Sequence, residues 1–290
     1  MRRAALLAAL LLAILAGACG GGAAPTATPP ASPSPGVASA TPTATTPSPS
    51  GSAPPTVYIL GGSSARESIV GNANLAAQIA RSGGPAVRVL DLGASNQDFS
   101  RDAALVKAMP AGPAVVLIGV NQGRFTGTPQ TSDASAAAAR AVLAAAGEVK
   151  HRYSASAILS DAEKTALAAR WAAEREPLFD RNYAANAAEL ERLVRLCTRR
   201  GFHPVLMELP VDLPVAGGTL SGVRARYRAG CRRLAARFHV PFLDFVAELK
   251  LHSAEFYDLF HLVEPGRAKW QDRLVRELLP LLRKYGIGAG

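Results

Sequence analysis

From residue 56 onward, short apolar runs alternate with longer stretches of helical periodicity, and each apolar run is closely followed by Gly, Pro or Asp. Residues 57–60 run into Gly61-Gly62, 86–90 into Asp91-Leu92-Gly93, and 114–118 into Gly119. Residues 204–207 end at Glu208-Leu209-Pro210, and 240–243 at Asp244. Runs this apolar and this short are strands buried on both faces, and strands separated by helices build a parallel sheet. The expected fold class is therefore α/β, a three-layer α/β/α sandwich around a flavodoxin-like, mainly five-stranded parallel sheet. In such sheets ligands bind beyond the carboxyl ends of the strands, so the residues that terminate these runs are the first candidates for a site.

Two segments precede this body. Residues 1–19 begin with Arg2 and Arg3 and continue as an apolar run too short for a permanent membrane helix, as in an export signal. Its end, Leu15-Ala16-Gly17-Ala18-Cys19, resembles the bacterial lipobox, which implies a lipidated Cys19 after cleavage and an extracytoplasmic protein anchored to the outer face of the cell membrane. Each buried acyl methylene adds about 0.8 kcal/mol, so several chains give stable attachment. Residues 20–55 are Gly, Ala, Pro, Ser and Thr almost throughout, carry no charge and no aromatic side chain, and read as a disordered linker. Residues 56–290 suffice for one α/β domain, with a helical insertion at about 124–182 that is either a lid over the site or a surface embellishment, the lid preferred because its first residues leave the third strand where a site belongs. Ser160-Asp161-Ala162-Glu163 is a capping box opening one helix through Trp171 to about Glu176, and a second runs from about Tyr183 to Arg200 and stops at Gly201. The net charge of +10 is dispersed, without a dense basic run interleaved with aromatics, so no nucleic-acid partner is expected.

Two small elements carry chemistry. Gly61-Gly62-Ser63-Ser64 follows a strand directly, so glycines permit a sharp turn and a hydroxyl sits at the strand end. Far along the chain, Asp258-Leu259-Phe260-His261 spaces a carboxylate and an imidazole so that one turn can bring them together. A serine hydroxyl becomes a competent nucleophile when an imidazole takes its proton, and the imidazole needs a carboxylate to fix its tautomer. The other histidines, His151, His203, His239 and His252, lack this arrangement.

Taken with Gly93 and Asn121, these elements resemble the ordered blocks of the SGNH (GDSL-like) hydrolase superfamily over residues 57 to about 285. Gly61-Gly62-Ser63 is similar to the Gly-Asp-Ser block, Gly93 to the glycine of the second block, Gly119-Val120-Asn121-Gln122 to Gly-x-Asn-Asp, and Asp258 to His261 to the closing Asp-x-x-His. The resemblance implies the SGNH hydrolase fold, Ser63 as nucleophile, His261 as base and Asp258 as its orienting acid. It also implies an oxyanion hole from the N–H groups of Ser63 and Gly93 and the side chain of Asn121. Gly62 and Gln122 replace two aspartates of the pattern. Aligning Gly62-Ser63-Ser64 instead would make Ser64 the alternative nucleophile; Ser63 is preferred because the strand then meets the motif without an extra residue. Arg66 and Glu67 read as a solvated ion pair opening the first helix. Cys197 and Cys231 are equally compatible with a disulfide and with two buried thiols. No cluster has metal-ligand composition and no phosphate-binding loop appears, so neither metal nor cofactor is expected.

The reading this supports is a serine hydrolase of the esterase class acting on an acylated small molecule, glycan or lipid through an acyl-enzyme on Ser63. The same residues serve an acyltransferase modifying envelope polysaccharide, and a non-catalytic glycan-binding lipoprotein is the third alternative.

Overall fold

The computed structural model describes residues 54–129 and 136–288; the expected export signal, Cys19 and nearly all of the expected linker lie outside these. The strands are β1 (Thr56–Leu60), β2 (Arg88–Asp91), β3 (Ala114–Val120), β4 (His203–Glu208) and β5 (Phe242–Leu243). They form one parallel sheet in the order β2-β1-β3-β4-β5. Each stands close to its expected place, but β2 begins two residues late and β5 shrinks to the pair that meets Leu206 and Met207. An edge strand with one neighbour needs no greater length to complete the sheet.

Side-chain alternation along the strands builds the two flanking layers. Val57, Ile59, Val115, Leu117, Val205 and Met207 face one core. This core is closed by α2 (Asn72–Arg81), by the short α8 (Val246–Leu249) and by α9 (Glu264–Lys284), which contributes Trp270, Leu274 and Leu278. Tyr58, Leu60, Val116, Ile118 and Leu206 face the other core. There α3 (Phe99–Ala108), the C-terminal half of α5 (Asp161–Arg199) and α7 (Ser221–Phe238) bury Leu105, Leu193 and Tyr227. The remaining short helices are α1 (Ser63–Arg66), α4 (Ala136–Ala145) and α6 (Leu213–Ala216).

The two helices expected within 161–200 are one. Helix α5 opens on the Ser160–Glu163 capping box and runs 39 residues, through Pro177, to Arg199. An interior proline removes one backbone hydrogen bond and costs about 3 kcal/mol. Burial on both sides of it, Lys164 and Ala168 before and Phe179 and Leu190 after, holds the helix continuous. The Gly201 stop stands where expected: Gly201 takes φ +76° and the Phe202 N–H closes back on Cys197 O at 3.0 Å.

Lys164 gives α5 a second task. Its ammonium is buried and donates to Asp212 Oδ2 (3.2 Å), Ser253 O (2.6 Å), Ser253 Oγ (2.9 Å) and Phe256 O (3.0 Å). It thereby joins the insertion helix to Asp212, the N-cap of α6, and to the loop that precedes Asp258. Replacing Lys164 by Met strands the buried Asp212 carboxylate, and removal of one member of a buried pair typically costs about 3–5 kcal/mol. Denaturant unfolding of K164M is expected to show a loss of that size; a loss below about 1 kcal/mol would mean the contacts hold nothing.

Candidate active site

The ends of β1 and β3 flank the point where the strand order reverses, which is where doubly wound sheets place their ligands. Gly61 leaves β1 with φ +152°, and a Cβ there would stand 2.8 Å from that of Ala65, so the turn needs glycine. Ser63 is then the first residue of α1. Its Oγ lies 2.8 Å from His261 Nε2. On the far side of the ring, Nδ1 donates to Asp258, at 2.9 Å from Oδ1 and 2.8 Å from Oδ2. That contact places the imidazole proton on Nδ1 and leaves Nε2 to accept the serine proton. Asp258 Oδ1 also accepts the N–H groups of Phe260 (2.8 Å) and His261 (3.0 Å), which locks the turn. Burial opposes the ionised form of Asp258, but the His261 charge and these hydrogen bonds outweigh it and hold its carboxyl below the usual value.

Ser64 is directed elsewhere. It is buried, and its Oγ meets Asn121 Nδ2 at 3.4 Å. Asn121 follows β3, and its Oδ1 caps the next turn by accepting the Arg124 N–H at 3.2 Å. Arg124 is itself fixed, donating to Gly119 O (2.7 Å) and Asp102 Oδ2 (2.6 Å) and lying 4.1 Å over the Phe99 ring. The Asn121 amide N–H groups are thus carried on a rigid base with only one long internal contact. The Ser63 N–H opens α1 and has no acceptor within that helix.

The third expected oxyanion donor is otherwise engaged. The Gly93 N–H donates to Asp91 Oδ1 at 2.7 Å, because β2 ends in a turn that folds the Asp91 side chain over its own backbone. Gly93 serves by its size: a Cβ there would stand 2.9 Å from Arg66 N and 3.0 Å from Gly62 O, so the glycine lets β2 press against the nucleophile turn. Burial pushes the Asp91 carboxyl up to about 7, against the Gly93 hydrogen bond and the charges of Arg66 and His151.

Arg66 and Glu67 are not a solvated pair. Glu67 has no exposure and accepts Arg66 Nε (3.0 Å), the Arg152 N–H (3.0 Å) and Arg267 Nη2 (2.7 Å), with His151 Nδ1 at 3.2 Å. Burial would raise its carboxyl, but these partners bring it down to about 2. The lid expected in the insertion appears as a strap, residues 147–159, laid along α1 and the His261 loop. Asn72 Nδ2 holds Gly147 O (2.7 Å), Arg267 holds Tyr153 O (2.6 Å), and Leu159 N–H reaches Tyr257 O (3.0 Å). The Tyr153 ring packs against His261 at 4.5 Å, tilted by 36°, and stacks on Tyr257 at 4.4 Å between centroids. Neither Tyr153 nor the Glu67 cluster carried a sequence signal, since their partners stand far away in the chain.

Cys197 and Cys231 are free thiols rather than a disulfide. Both are packed into the apolar layer over β3 and β4, and burial pushes each up to about 12, which keeps them protonated. Among the described residues no cluster of His, Cys, Asp and Glu is arranged to hold a metal.

A nucleophile, a base and an orienting carboxylate at the strand ends of a parallel α/β sheet define the site as a serine triad. No family model and no curated protein matches the sequence. Among solved structures the chain is similar to TesA, at 13% identity over 79% of this chain and 99% of that one, with a TM-score of 0.43. It is also similar to Axe2, an acetylxylan esterase from Geobacillus stearothermophilus (14% identity, 77% and 93%, TM-score 0.44). A third is a lipase/acylhydrolase from Enterococcus faecalis (13%, 78% and 96%, TM-score 0.42). At this level of similarity the likenesses carry no weight for activity, and the chemistry is read from the geometry.

Glu67 supplies a check on how the site is held. A carboxyl lowered in the folded state contributes stability above its unfolded value, near 4.5, and that contribution is lost as pH falls toward about 2. Glu67→Gln is therefore expected to unfold at lower denaturant than the wild type at pH 7, with the gap closing as pH drops from 4.5 toward 2. A gap that stays constant with pH would contradict the assignment.

Proposed function

We propose that this protein is a serine hydrolase of the esterase class. The observation that carries the reading is the 2.8 Å contact between Ser63 Oγ and His261 Nε2, with Asp258 behind the ring. The Ser63 hydroxyl attacks an ester carbonyl as its proton passes to Nε2, and Asp258 stabilises the resulting imidazolium. The Ser63 N–H and the Asn121 amide donate to the oxyanion. Losing one such donor typically lowers turnover by about two to three powers of ten. Collapse expels the alcohol, protonated from Nε2, and leaves the acyl group on Ser63. Water, deprotonated by the same imidazole, then releases the acid.

Location narrows the substrate. The export-type start and the lipobox-like Leu15 to Cys19 support attachment outside the membrane. Acylated envelope glycans or lipids are the esters available there. An alkynyl fatty acid fed to the producing bacterium is expected to label the wild-type protein and not Cys19→Ala, which leaves the membrane fraction. Equal labelling of C19A would refute anchoring at that residue.

For the chemistry, the full-length protein is expected to hydrolyse p-nitrophenyl acetate and to take a fluorophosphonate on Ser63. Ser63→Ala should lose at least about three powers of ten in kcat, while Ser64→Ala retains the labelling. Undiminished turnover in S63A would defeat the reading.

A further inference from the structure

We infer that Tyr153, brought in by the 147–159 strap, is a specificity-determining residue that forms the wall of the leaving-alcohol subsite. The inference rests on the triad reading above and adds which half of the ester this wall touches. In acyl transfer the imidazole that accepts the serine proton must return it to the departing oxygen, so the alcohol leaves beside His261 Nε2. The ring nearest that imidazole is Tyr153, 4.5 Å away and inclined at 36°. Tyr257 backs it at 4.4 Å and 24°, so Tyr153 lies between Tyr257 and the imidazole and the three rings form one stack.

Tyr153 is placed rather than merely present. Its own carbonyl is held by Arg267 (2.6 Å), and the preceding N–H, that of Arg152, donates to Glu67 (3.0 Å). Two residues on, the Ala155 N–H donates to Glu264 Oε2 (3.1 Å). Backbone bonds on both sides therefore fix the ring against His261 before any substrate arrives. The side chain is half-buried, and its hydroxyl has no hydrogen-bond partner among the described residues. Burial and the Asp258 charge raise it above the usual phenol value, so it stays protonated and able to donate. With Tyr257 and His261 against its two faces, Tyr153 offers its apolar ring edge and one free donor, which suits an alcohol that is itself a ring bearing hydroxyls, such as a sugar, and offers little to methanol.

The test uses two ester series on the full-length protein: acetates of methanol, phenol and a monosaccharide, and p-nitrophenyl esters of increasing acyl length. In Tyr153→Ala the kcat/KM advantage of the ring alcohols over methyl acetate is expected to fall about tenfold, the scale of one lost aromatic contact. The relative order along the acyl series should not change. Tyr153→Phe should keep the phenyl acetate advantage and lose part of that for the sugar acetate. Tyr153→Leu, which keeps apolar bulk, provides the same comparison if the alanine variant does not fold. A uniform loss across both series, or a change confined to acyl length, overturns the assignment while leaving the triad intact. A wild-type protein that hydrolyses neither series and leaves Ser63 unlabelled overturns the triad reading beneath it.

Discussion

One carboxylate, Glu67, joins the parts of the molecule that have to agree on the position of the nucleophile. It follows α1 directly, has no contact with solvent, and receives donors from α1, the strap and α9. A buried anion is costly unless every lone pair is met, and once met it is difficult to displace. Moving the strap away exposes the Glu67 cluster to loss of the Arg152 N–H and His151, and moving α9 loses Arg267. The short helix bearing Ser63 therefore inherits its stability from groups distant in sequence. The strap, an insertion by sequence, is energetically part of the nucleophile's support.

The opposite partner is held by a different charge. Lys164, reaching in from α5, binds Ser253 O and Phe256 O and so sets the loop that ends in Asp258 and His261. A positive network thus positions the base, a negative one positions the nucleophile, and the two meet at the Ser63–His261 hydrogen bond. Asn121 stands on a third, the Arg124–Asp102 pair beneath the β3 end. Such sites are pre-organised because their side chains have little freedom left to lose on reaching the transition state.

What could be read in the sequence was local. A strand buried on both faces declares itself by an apolar run closely followed by Gly, Pro or Asp, so β1, β3 and β4 are legible; Ser63 and Asn121 stand just after two of these runs, and the Asp258–His261 pair shows as a three-residue spacing far along the chain. The Gly93 donor was read from a pattern, whereas its actual partner depends on the Asp91 rotamer over the end of β2. Glu67 resembled a surface charge because the residue that buries it, Arg267, lies 200 positions later. The sequence ends one helix at about Glu176 and opens another at about Tyr183; what joins them across Pro177 is burial on either side, which local periodicity does not carry. Tyr153 sits in a stretch without periodicity, and only the fold reveals that it lies on the imidazole.

The continuity of α5 bears on how this architecture could be altered. At about 1.5 Å per residue its 39 residues extend about 58 Å. Its first turns carry Lys164 to the His261 loop, and its last turns carry Leu193 and Cys197 onto the sheet. The segment that looks like an embellishment between the third and fourth strands is therefore the same rigid rod as the crossover the sheet requires. A shorter version of the protein cannot be made by trimming a peripheral loop, because deletion there severs the beam that carries the catalytic loop.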